Sequence, residues 1–130
     1  MPRSKKVPQS RRFMVRQGDV IVIGLRKPLA ASAQGLTPIP AEAERTILAH
    51  GEVTGHAHAL PSAQATLYGM SDELRKLLGQ DVLPGDRVLT VIEDTMLTHE
   101  EHDAITIPTG NYIVRRQREY SPEEIRQVAD

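Results

Sequence analysis

Hydrophobic positions along the chain fall in short runs broken by turn residues, and few of them follow helical spacing. Phe13-Met14-Val15-Arg16 leads through Gln17-Gly18-Asp19 into Val20-Ile21-Val22-Ile23-Gly24, which predicts two strands flanking a Gly-Asp turn, or one strand bent by it. Val20 to Ile23 is apolar without alternation, the mark of a central strand covered on both faces. Arg26 to Ala43, rich in Pro, Ala, Ser and Gly, reads as a long loop in which Pro28, Pro38 and Pro40 deny ladder hydrogen bonds. Strands follow at Thr46 to His50, with an interruption at Gly51 that suggests a bulge, at His56 to Leu60, and from Ala65 to Tyr68. Ser71 as N-cap, Asp72 and Glu73 in the first turn, Leu74, Leu77 and Leu78 on one face and Gly79 as the stop predict a helix of about two turns. Pro84-Gly85-Asp86 opens the strand Arg87 to Glu93, with Val88, Thr90 and Ile92 on one face and Leu89 and Val91 on the other. Strands at Thr95 to Thr98, Ile105 to Ile107 and Asn111 to Glu119 complete the set, and Ser121-Pro122-Glu123-Glu124 is a full helix start. Many short strands, Gly and Pro turns and little helix predict a mainly β fold: a small single-domain β-barrel or β-sandwich with one or two short helices.

Composition narrows the chemistry more than the fold. At 130 residues the chain is sized for one domain, and with one Phe, three Tyr and no Trp its core must be aliphatic. The absence of Cys removes disulfides, thiolate metal sites and cysteine nucleophiles, so any metal must be held by His and carboxylate. No apolar run approaches the ~20 residues of a membrane span, and no signal-peptide core follows the start, so a cytoplasmic protein without a membrane partner is expected. Net charge is −1, yet Arg3, Lys5, Lys6, Arg11, Arg12 and Arg16 stand in the first seventeen residues without an acid. Residues 1–12 read as a basic, disordered arm and 13–130 as the β-rich domain. The arm is either a solvated tail or a strip for the phosphates of nucleic acid. Arg115, Arg116 and Arg118 pose the same choice between a phosphate grip and a solvent-facing strand edge, and the edge is the expectation.

The five histidines are concentrated: His56 and His58 in Gly55-His56-Ala57-His58, His99 and His102 in His99-Glu100-Glu101-His102, and His50 just before the first pair. On a strand His56 and His58 share a face with α-carbons about 6.5 to 7 Å apart. Residues three apart share a side on a turn or helix, so His99 and His102 form a second pincer. Neutral imidazole is the commonest metal ligand, which makes His56, His58, His99 and His102 candidate ligands for divalent zinc or iron. Glu101 and Glu52 are the candidate carboxylate ligands or general bases. The same residues also read as a polar loop between strands, or as a metal-free acid–base pair such as RNA cleavage uses. Three functions therefore stay open. One is a metal-binding β-protein acting as a hydrolase or oxygenase, another a nucleic-acid-associated binder or ribonuclease using the arm, and the third an interaction module with structural histidines. No organic cofactor is indicated; the partner is a small molecule or a macromolecule.

The strings Arg16-Gln17-Gly18-Asp19-Val20, Leu48 through His58, His99 to His102, Ile105 through Tyr112 and Gln117-Arg118-Glu119-Tyr120 together resemble a family of small bacterial proteins of unknown function. The resemblance runs from Arg16 onward and brings no activity with it. The basic N-terminal extension and the segment around Ser71 to Pro84 depart from the family pattern. Gly51 to His58 is also similar to the Gly-led His-x-His of cupin metal sites. Here no Glu follows His58 at the cupin distance, and Pro108-x-Gly110 comes after the second histidine pair instead of before it. That likeness implies a β-fold carrying a histidine site.

Overall fold

The computed structural model describes residues 12–26, 29 and 34–117. The basic arm up to Arg11 and the helix start at Ser121 lie outside them. Ten strands and one helix occur among the described residues. In chain order they are β1 (Met14–Gln17), β2 (Val20–Gly24), β3 (Leu36–Ile39), β4 (Arg45–His50), β5 (Ala57–Pro61), β6 (Ala65–Met70), α1 (Asp72–Leu78), β7 (Arg87–Val91), β8 (Thr95–His99), β9 (His102–Ile107) and β10 (Gly110–Arg116). They form a six-stranded sheet in the order β1-β2-β10-β7-β6-β3 and a four-stranded sheet in the order β4-β5-β8-β9, and neither closes into a barrel. Every named pairing is antiparallel.

The alternation of side chains along each strand explains the layering. Val20 and Val22 of β2, Leu89 and Val91 of β7 and Tyr112 and Val114 of β10 face Leu48, Leu60, Leu97 and Ile107 of the smaller sheet in one core. Ile21, Ile23, Val88 and Ile113 point the other way into a second core with Val82, flanked by Leu25, Leu36 and Leu78. The unbroken apolar run Val20 to Ile23 is thus covered on both faces. Each fully buried aliphatic side chain contributes about 1.5 to 3 kcal/mol of transfer free energy. Hydrogen bonds from Arg87 Nη2 to Leu48 O (2.7 Å) and from Thr46 Oγ1 to Ala65 O (2.7 Å) join the sheets.

Four expectations are corrected. The segment read as a long loop contains β3, which runs through Pro38; a proline fits because β3 is the edge strand and needs ladder bonds on one side only. The register shift in β4 lies between Ile47 and Ala49, before Gly51. Ser71 caps α1 through Oγ, but only Leu74 of the helix is buried and Leu77 is 74% exposed, because seven residues offer too little length to press a full stripe onto the sheet. Arg115 is not on a solvent edge: β10 lies between β2 and β7, and Arg115 is buried with a two-pronged bond to Asp86 (Nε to Oδ1 2.9 Å, Nη2 to Oδ2 2.6 Å). The buried carboxylate offsets the desolvation that makes a lone buried arginine costly.

Candidate functional site

One end of the seam between the sheets is built by three adjoining turns. The Gly18-Asp19 hairpin joins β1 to β2, the Glu100-Glu101 hairpin joins β8 to β9 with His99 paired to His102, and the segment before β5 carries His56. Between them opens a cleft of about 450 Å³ lined by Gly18, Asp19, His50, Gly51, Glu52, Val53, His56, His58, His99, Glu101 and His102. The ring centre of His58 is 4.2 Å from that of His99 and 5.8 Å from that of His102; His99 and His102 are 4.8 Å apart, and His56 stands 6.0 Å from His99. All four clustered histidines therefore line the same cleft. His56 directly precedes β5 and is partly exposed, while His58 lies within β5 and is 4% exposed.

His58 is held by a residue the sequence reading passed over. The Gln17 amide nitrogen donates to Leu97 O (3.1 Å) and Asp103 O (2.9 Å), tying β1 to β8 and β9. Its hydrogens thus committed, Gln17 presents Oε1, an acceptor, to His58 Nδ1 at 2.9 Å. Nδ1 must carry the proton, and the lone pair of the neutral ring is on Nε2. Nε2 stands 3.7 Å from Asp19 Oδ1, while Asp19 Oδ2 accepts from Arg116 Nη2 at 3.0 Å. Burial, and then the neighbouring His99, push the His58 pKa down to about 4; Asp19 opposes this, and His102 and Arg116 add to it. His58 is consequently neutral near pH 7.

The remaining rings are fixed in different senses. His99 Nδ1 accepts the Glu101 backbone N–H (3.0 Å), so neutral His99 carries its proton on Nε2. His56 Nδ1 lies 2.9 Å from Glu101 Oε2, to which it donates, leaving a lone pair on its Nε2. Glu100 accepts the Ala57 N–H (3.0 Å), and its own backbone N–H together with that of Ala57 holds its carboxyl below the usual range. Glu52 lines the cleft as an exposed side chain, and His50 pairs with Glu42 at 3.3 Å. Two glycines let the rings approach. A Cβ at Gly18 (φ 59°) would stand 3.1 Å from His102 Nε2, 3.1 Å from His58 Cε1 and 3.4 Å from His58 Nε2; one at Gly51 would stand 3.1 Å from His99 Nε2. Among the described residues no group of three or more His, Asp or Glu side chains is arranged to hold a metal ion.

Gln17 and Asp19 are the site residues that sequence reasoning missed. Both sit in the Arg16 to Val20 string, whose Gly-Asp pair predicts a turn and whose residue types give no sign of a site. Arg12, expected in the basic arm, packs instead against the domain: Nη2 donates to Gly24 O (2.9 Å) and Nη1 lies 3.4 Å from Asp81. Arg3, Lys5, Lys6 and Arg11 lie outside the described residues.

Fold and site together define a two-sheet β protein with an imidazole-lined cleft at one end of the seam. The chain belongs to the family described as a domain of unknown function (DUF8820), matched over residues 16–117. The match takes in Gln17, Asp19 and all four clustered histidines. No curated protein and no solved structure matches the chain. Among the described residues no helix is long and apolar enough to cross a membrane.

Proposed function

We propose that the cleft binds one divalent transition-metal ion, zinc or iron, on neutral imidazole nitrogen and carboxylate oxygen, with a position left open for water or substrate. The observation that carries this reading is the His58 ring, buried, neutral and oriented by Gln17 so that its Nε2 lone pair faces the cleft beside three further imidazoles. A histidine whose second nitrogen donates to a fixed acceptor is the usual arrangement of a metal ligand. Spacing supports it as well. An ion about 2.1 Å from an imidazole nitrogen lies about 3.2 Å from the ring centre, so two rings on one ion have centres about 4.5 to 5.5 Å apart. Of the four ring separations, the 4.8 Å between His99 and His102 lies in that range, and 4.2, 5.8 and 6.0 Å lie within half an ångström of it.

An open position on such an ion suits hydrolysis, by lowering the pKa of bound water, or oxygen chemistry if the ion is iron. The dyad of Glu101 and His56 stands at the cleft wall as a general base: the carboxylate accepts the hydrogen bond from Nδ1–H and so leaves Nε2 to take up a proton. Elemental analysis of the dialysed protein tests the proposal. Close to one ion per chain is expected, with its loss in the His56→Asn/His58→Asn double variant; a metal-free protein that takes up no zinc or iron contradicts it. Metal-free protein that instead binds nucleic acid in a salt-dependent way, lost on deleting residues 1–12, points to the nucleic-acid reading; failure of both leaves an interaction module.

A further inference from the structure

We infer that the small molecule taken by this cleft carries an ammonium or guanidinium group, and that Glu52, in the connection between β4 and β5, is the residue that selects it. The inference deepens the proposed function by naming a substrate class. It takes from that reading only that the cleft is the binding site, and it stands on the charge of the walls with or without an ion.

The charged lining is of one sign. Three carboxylates, Asp19, Glu52 and Glu101, line the cleft, and among the described residues no Lys or Arg does. The arginines that come near are turned to other groups. Arg116 donates to Asp19 Oδ2 at 3.0 Å, Arg16 donates to Gly18 O at 3.1 Å, and Arg45 Nη1 lies 4.0 Å from Glu100. Neutral imidazoles make up most of the remaining polar lining and add hydrogen-bonding capacity without charge. A cleft whose charges share one sign concentrates their field between its walls, so it draws in cations and repels a carboxylate or a phosphate.

The three carboxylates differ in what they can still bind. Asp19 is engaged by Arg116, and Glu101 Oε2 accepts from His56 Nδ1 at 2.9 Å. Glu52 has neither a hydrogen bond nor an ion pair among the described residues. Backbone bonds set its place: the Gly51 N–H donates to His56 O (2.7 Å) and the His56 N–H to Val53 O (3.0 Å), closing a short loop. The base of that loop lies against the rings, since a Cβ at Gly51 would stand 3.1 Å from His99 Nε2. Glu52 and Val53 follow at the rim, both exposed, and Val53 is the one apolar side chain in the lining among the described residues. A free carboxylate with an apolar neighbour fits a cationic head on a short aliphatic stem, and a cleft of about 450 Å³ has room for such a molecule.

NMR titration of the isotope-labelled, metal-free full chain at pH 8, where imidazole is ordinarily uncharged, tests the inference with butylammonium, butylguanidinium, butyrate and butyl phosphate as probes. Both cations are expected to shift the amide signals of Glu52, Val53 and His56 saturably, and to bind about tenfold or more tightly than either anion. Glu52→Gln should weaken the cations by about threefold or more, and Glu52→Lys should abolish their binding and admit butyrate. The side chain is exposed, so both variants keep the fold, which thermal unfolding checks. Equal or tighter binding of an anion, no saturable shift with either cation, or cation binding unchanged in both variants would overturn the inference. A chain that takes up zinc but prefers the anions leaves the metal-binding reading standing while this one falls. A chain that binds the cations and takes up no metal does the reverse.

Discussion

At the scale of single residues, His58 shows how chemistry can be set by what a side chain touches. Its pKa falls to about 4 because a charged ring in a buried place loses hydration and meets His99 close by. An imidazole in the unfolded chain titrates near 6.5. Between these values the unfolded chain binds a proton that the folded chain refuses, so folded stability is greatest above about pH 6.5 and declines as pH falls toward 4. Acidifying the metal-free protein from pH 7 to pH 5 should cost about 2 kcal/mol through this residue alone. Urea unfolding at the two pH values, in the parent and in His58→Asn, measures it. A parallel loss in both proteins would mean that His58 is not held neutral. The sequence exposed His58 as a candidate but not its state, because what sets that state, burial and then the neighbouring His99, comes from packing against segments about forty residues away in the chain.

At the scale of elements, the site is made by turns, and turns are where the sequence was most and least informative. Gly-Asp between two apolar runs announced the β1–β2 hairpin, and Ser71, Asp72, Glu73 and Gly79 announced the helix with its ends. Pro38 concealed β3, since a proline counts against a strand until the strand is known to be an edge. Arg115 misled in the opposite direction: only the partnership with Asp86 across the fold makes a buried arginine tolerable, and sequence spacing does not show it. The Gly18 hairpin carries a direct test. Alanine there must hold φ near 59°, at a cost of about 1 to 2 kcal/mol, and its Cβ would stand 3.1 Å from both His102 Nε2 and His58 Cε1. Gly18→Ala should therefore lower stability by about that amount in thermal unfolding and weaken zinc binding by about tenfold or more in calorimetry. Unchanged zinc affinity in a destabilised variant would show that the rings do not meet their ion at this turn.

At the scale of the whole molecule, two antiparallel sheets pack through one aliphatic core while the helix side covers a second, and the seam between the sheets ends in the histidine cleft. The mainly β class was legible because apolar runs of strand length alternate with Gly and Pro turns. The pairing order was not, because β10 pairs with β2 some ninety residues away and no local pattern encodes that choice. The convergence of His56 and His58 with His99 and His102 was legible only as a coincidence of composition; the sheet seam supplies its physical cause by bringing three turns together. A crystal of the chain grown with zinc and measured on either side of the zinc absorption edge tests the central claim most directly. The account predicts one anomalous peak per chain in the cleft, within bonding distance of His58 Nε2. No peak in the cleft at saturating zinc, or peaks only on surface carboxylates, would contradict it.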